Sequence, residues 1–182
     1  MIATSSGVRP YELKVRANGR LLAHTRGTLL AAQWDATFFK WPPATDPRTN
    51  LLGYRKLAAS AEAIPAQLED LTLRYGSRGP SDLRLSENVT AAQLGRDHFG
   101  MIARTHLPLT KGGWEFATLS DDGVRVTVDG QPVIENWTWH GPTRDTGKLT
   151  LPADMTVEIV VEHFEIDGHA VLEFSVTGSP AQ

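Results

Sequence analysis

Cysteine is absent from the 182 residues, which excludes disulfides, thiolate metal centres and cysteine nucleophiles together. Stability must come from packing. There is no basic run in a chain of net charge −3, and the aromatic residues are not interleaved with Lys or Arg. Nothing would therefore neutralise a phosphate backbone or stack its bases, and nucleic acid is excluded as a partner. No stretch approaches the roughly 20 apolar residues of a membrane span, and Met1 to Pro10 lacks the apolar centre of an export signal. If the natural protein is secreted, this chain is an excised piece of it, with no membrane span of its own. Neither the glycines of a nucleophile elbow nor a phosphate-cradling loop before a helix is present. What remains is ordinary for a folded domain: 41% hydrophobic residues, 21% charged, and a length that suits one core.

Strand patterns fill most of that length. Tyr11 to Arg16 and Arg20 to His24 flank Asn18-Gly19, a pair that supplies both positive φ angles of a type I′ turn, and so predict a hairpin. Trp34 to Trp41 alternates β-branched and aromatic residues before Pro42-Pro43 stops it. Leu51 to Ala63 is alanine-rich and predicts a short helix laid over the sheet, and Leu71 to Tyr75 is a further strand. Thr90-Ala91-Ala92-Gln93 has capping-box spacing and predicts one helical turn. Beyond it, Phe99 to Leu107, Trp114 to Leu119, Val124 to Val128, Leu149 to Leu151, Val157 to Phe164 and Ala170 to Val176 alternate in short runs separated by Gly, Pro and Asp. The fold class is all-β, an antiparallel, jelly-roll-like β-sandwich with a short helical insertion. Residues 1–28 are a lead-in hairpin packing on the same domain, 29–177 the sandwich, and 178–182 a tail.

One segment is more specific. Gly113 to Gly130, with Ser120-Asp121-Asp122-Gly123 at its centre, followed by Pro132-Val133-Ile134-Glu135-Asn136-Trp137, resembles the central signature of the protective-antigen 14 kDa domain family. Leu149 to Ala153, Ile159 to Glu165 and Gly168 to Phe174 resemble its last strands, and Asp97-His98-Phe99 and Trp34 to Trp41 its opening ones. The likeness runs from about Leu29 to Val176 and is weakest between Asp46 and Leu94. The resemblance implies an accessory β-sandwich module of an extracellular or cell-surface bacterial protein, beside neighbouring domains. In several adhesin members, paired aspartates joined by a cis peptide hold calcium, a second loop adds ligands, and sugar hydroxyls complete the coordination. Asp121 and Asp122 match the paired aspartates. Glu165-Ile166-Asp167-Gly168-His169 lies where the second loop would be, without reproducing an adhesin motif.

Each of these residues also has a structural reading. Calcium prefers six to eight oxygens, which adjacent carboxylates and a facing loop can supply. Equally, Asp121 and Asp122 can bond the amides of their own turn while Gly123 takes a positive φ, with no metal at all. In Asn136-Trp137-Thr138-Trp139-His140-Gly141-Pro142 the rings of Trp139 and the imidazole of His140 can stack on and orient a sugar, while Trp137, ending its strand, belongs in the core. Asp129-Gly130 is a hairpin turn. His140, His163 and His169 do not have diagnostic metal spacing, and the sequons at Asn88 and Asn136 are assigned no role. Glu162, Glu165 and Asp167 form no recognisable catalytic pair, so an enzyme is not expected.

Two functions follow. The first is a carbohydrate-binding module for a glycan or polysaccharide, with Asp121 and Asp122 as metal ligands, calcium as cofactor, and Trp139, His140, Glu165, Asp167 and His169 shaping the sugar site. The second is a structural or protein-interaction module without a small-molecule ligand.

Overall fold

The computed structural model describes residues 7–180; residues 1–6 of the expected lead-in and 181–182 of the expected tail lie outside it. Twelve strands form three sheets. The first is the lead-in hairpin alone, β1 (Gly7–Ala17) with β2 (Arg20–Ala31), turning at Asn18 and Gly19 with φ of 49° and 79°. It is longer than the pattern predicts and forms its own two-stranded ribbon. Only its base meets the sandwich, where Val8 and Leu30 pack on the core.

The sandwich consists of a six-stranded sheet, in the order β4-β3-β6-β11-β8-β9, facing a four-stranded sheet, β10-β7-β12-β5. The strands of the larger sheet are β3 (Trp34–Lys40), β4 (Ile64–Leu68), β6 (Phe99–Leu109), β8 (Val124–Val128), β9 (Gln131–Asn136) and β11 (Met155–Glu165). Those of the smaller are β5 (Thr72–Gly76), β7 (Gly112–Asp121), β10 (Thr143–Leu151) and β12 (Ala170–Pro180). Every pairing is antiparallel. Residues 178–180 therefore belong to the last strand rather than to a tail.

The alternation of β3 sends Trp34, Ala36 and Phe38 between the sheets, where Trp34 meets Phe174 edge-on at 5.4 Å. Phe39 and Trp41 join a second cluster with Tyr54, Ile102 and Phe164. That cluster is covered by α1 (Leu51–Ala58), the expected helix, whose N-cap Asn50 accepts from the Gly53 amide at 2.8 Å. Arg55 on α1 makes a double hydrogen bond to Glu162, at 2.6 Å each, and so pairs a carboxylate that β11 buries. Trp137 packs against the same cluster, edge-on to Phe164 at 4.7 Å, with Nε1 donating to Pro47 O. This is the core role its position suggests.

Two local expectations are corrected. The second helix, α2 (Glu87–Ala91), starts four residues early because Ser86 is its cap, accepting from the Val89 amide, while the Thr90 hydroxyl donates back to Ser86 O. Gly123 does not have a positive φ. Its missing side chain is required by Phe164 instead, whose ring lies 2.2 Å from where a Cβ would stand.

Candidate functional site

At one end of the sandwich, β7 runs out at Asp121 and β11 at Glu165, on facing sheets. The peptide between Asp121 and Asp122 is cis. All three carboxylates are buried, with Asp121 at 6% exposure, Asp122 at 1% and Glu165 at 0%. One oxygen from each lies within 4.8 Å of the other two.

Their partners differ. Asp122 accepts from two loops at once, from the His140 amide through Oδ1 at 3.0 Å and from the Ile166 amide through Oδ2 at 2.8 Å. It thereby bonds the amides of two other loops rather than those of its own turn. Beside Asp121 stands the exposed His169, with Nδ1 3.7 Å from Oδ2. Neither oxygen of Glu165 has a hydrogen bond of normal geometry, and only the Asp122 amide, facing the carboxyl, offsets part of its burial.

Burial holds the carboxyls of Asp121 and Asp122 above their usual range, opposed at Asp121 by His169 and His140 and at Asp122 by the two loop amides. Glu165, buried and facing both aspartates, is pushed up to about 10. Three carboxylates this close cannot all ionise unless something positive joins them. The donor set is entirely oxygen, which suits a hard divalent cation such as calcium rather than zinc.

The other expected site residues surround this cluster. Trp139 is 61% exposed on the loop that Asp122 anchors, and the imidazole of His140 bonds Gly141 O from the same loop. Asp167 and His169 are exposed on the β11–β12 loop. Glu165 differs in place from the sequence reading: it is the last residue of β11, in the floor beneath the aspartates, and not a rim residue open to a sugar.

A third rim segment was not legible in the sequence. Asp46 and Arg48 pair at 2.6 Å in the loop before α1; the bond to Asp46 raises the affinity of Arg48 for protons, and the charge of Asp122 adds to it in smaller part. His98 donates its amide to Ile166 O, tying the strand before β6 to the same loop. Asp46-Pro47-Arg48 looks like an ordinary turn, and no spacing joins it to residues seventy positions onward.

A two-sheet antiparallel sandwich with paired aspartates at the loop end places the chain in a class of β-sandwich domains. The chain belongs to the PA14 domain family, whose model matches residues 84–180. Among solved structures it is similar to a PA14 sugar-binding domain from an RTX adhesin, with 17% identity and a TM-score of 0.57 over 82% of this chain and 91% of that one. It is similar also to the PA14 domain of the MpAFP antifreeze protein, at 17% identity and TM-score 0.58, covering 82% of each. A third likeness is to an anti-sigma factor domain-containing protein, at 16% identity and TM-score 0.56, covering 82% of this chain; this chain spans only 44% of that one. At these identities the likeness is one of fold. No curated protein matches the chain. Among the described residues no helix is long and apolar enough to cross a membrane.

Proposed function

We propose that this domain is a non-catalytic carbohydrate-binding module of an extracellular or cell-surface protein, and that it grips its sugar through a calcium ion held by Asp121, Asp122 and Glu165. The observation that carries the reading is Glu165, a fully buried carboxyl with neither oxygen in a hydrogen bond of normal geometry, facing two buried aspartates. A divalent cation turns that cost into binding energy, because it allows all three groups to ionise. The carboxylates supply at most six oxygens, so calcium would keep positions open towards solvent, where vicinal sugar hydroxyls fit.

Asp122 adds a mechanical link. The side chain that would hold the ion also fixes the amides of His140 and Ile166, so the loops bearing Trp139 and His169 are set by the same group. Trp139 offers an apolar face for a pyranose ring, whereas His140, with Nδ1 bonded to Gly141 O and Nε2 buried, shapes the loop rather than presenting a ring nitrogen to the sugar. The adhesin likeness supports the substrate class.

The test is a thermal melt in chelator and then in calcium, followed by a glycan array with and without the ion. At calcium one hundred times the dissociation constant, stabilisation is about 2.7 kcal/mol, a shift of roughly 5–10 °C for a domain of this size. Array binding that requires calcium is expected. An unchanged melt at millimolar calcium would refute the metal and leave a structural or docking module.

A further inference from the structure

The apolar surface of the domain is unevenly placed. Of the nine large hydrophobic residues exposed among the described ones, six lie on the β1–β2 hairpin: Tyr11, Leu13, Val15, Leu21, Leu22 and Leu29, each 43–61% exposed. Every residue from Tyr11 to Thr25 is exposed, so the ribbon leaves the sandwich beyond its base. Strands of eleven and twelve residues at about 3.3 Å each make a ribbon about 35 Å long, base included.

Its two faces are unlike. Tyr11, Leu13 and Val15 alternate along β1 and share a face with Ala23 and Thr25 across the ladder, and the register shift after Val15 leaves Leu22 as an extra residue near the tip. On the other face Glu12 pairs with Lys14 at 2.8 Å and with His24 at 2.7 Å. That polar face is internally satisfied; the apolar one is bare, and a two-stranded ribbon with a bare apolar face is marginal in water by itself.

Charge and backbone indicate what covers it. Residues 1–28 hold Arg9, Lys14, Arg16, Arg20 and Arg26 against Glu12 alone, a net +4 in a chain of −3, which leaves −7 on residues 29–182. The arm pairs with no other strand, so the outer edges of both its strands carry ladder groups that need partners. A hydrocarbon phase offers none, and another basic arm would repel it. A protein surface offers both apolar cover and ladder partners, and the body of this same chain, formally acidic, complements the arm in charge.

We propose that the hairpin is a docking arm for a second copy of this chain, each arm lying with its apolar face against the acidic body of the other in a twofold exchange. This is independent of the sugar-site reading, since no residue of the arm lies in that site. The test is sedimentation velocity over a concentration series of the full chain at about 50 mM and about 500 mM salt. A dimer that weakens at high salt is expected, with at least a tenfold rise in dissociation constant for both Leu13→Asp/Leu22→Asp and Arg16→Glu/Arg20→Glu. These positions are exposed, so the calcium-free melt of the sandwich serves as the control and stays unchanged. A monomer at every concentration into the millimolar range would overturn the proposal, as would a dimer that both double variants leave intact. Binding of a monomeric chain to anionic phosphatidylglycerol vesicles, lost in the same variants, would overturn it in favour of a lipid surface.

Discussion

Replacing Glu165 by glutamine separates a metal ligand from a structural acid. In the metal-free domain the carboxyl is held protonated, because burial and the two aspartates raise it to about 10. In the unfolded chain it releases its proton near 4.5. Keeping that proton at pH 7 costs the folded state up to about 3 kcal/mol at 1.36 kcal/mol per pH unit. The sign follows from the direction of the shift: stability is whole below pH 4.5 and falls as pH rises towards 10. Glutamine has nearly the same shape and no proton to hold. Glu165→Gln should therefore be more stable than the parent in chelator, by up to about 3 kcal/mol at pH 7 and by little at pH 4.5, while losing its response to calcium. Urea unfolding at both pH values, with chelator and with calcium, reads all four quantities. A variant less stable than the parent at pH 7 in chelator would refute the reasoning, since the carboxyl would then be supporting the fold.

Asp122→Ala removes the acceptor of two loop amides; a loss of about 2–4 kcal/mol should appear in chelator by urea unfolding, together with loss of the calcium shift. Trp139→Ala, at an exposed position, should change stability by no more than about 0.5 kcal/mol and leave calcium affinity intact. Titration calorimetry with a glycan taken from the array should nonetheless show binding weaker by roughly two- to tenfold, the scale of a lost aromatic stack. His163 is buried and pushed down to about 4, so its contribution is present above pH 6.5 and disappears as pH falls through 4. Unfolding at pH 7 and at pH 4 should show the parent losing up to about 3 kcal/mol more than His163→Gln over that interval.

Strand content was legible because its signals are local. Asn18-Gly19 and Asp129-Gly130 mark their turns, with φ of 49° and 79° and of 47° and 76°, and the alternation of Val124 to Val128 and Val157 to Val161 gives strands that bury one side, although β11 is buried on both sides from Val161 to Glu165. The β4 strand was missed because Pro65 sits inside it, a residue that argues against a strand except at an edge, which is where β4 lies. The second helix was displaced because two residues, Ser86 and Thr90, are each eligible as caps, and only the packed chain selects between them.

The sequence alone determined an all-β sandwich, the lead-in hairpin, the paired aspartates and the loop of Trp139 and His140, since each is written in neighbouring residues. The tertiary structure decided that Glu165 closes the carboxylate cluster, that Asp122 holds two distant loops, that Asp46 and Arg48 stand beside it, and that the hairpin leaves the body bare on one face. These join residues far apart in the chain, and their proximity is set by which strand lies beside which. Alternation gives each strand a buried side, while its neighbours depend on the packing of the whole core.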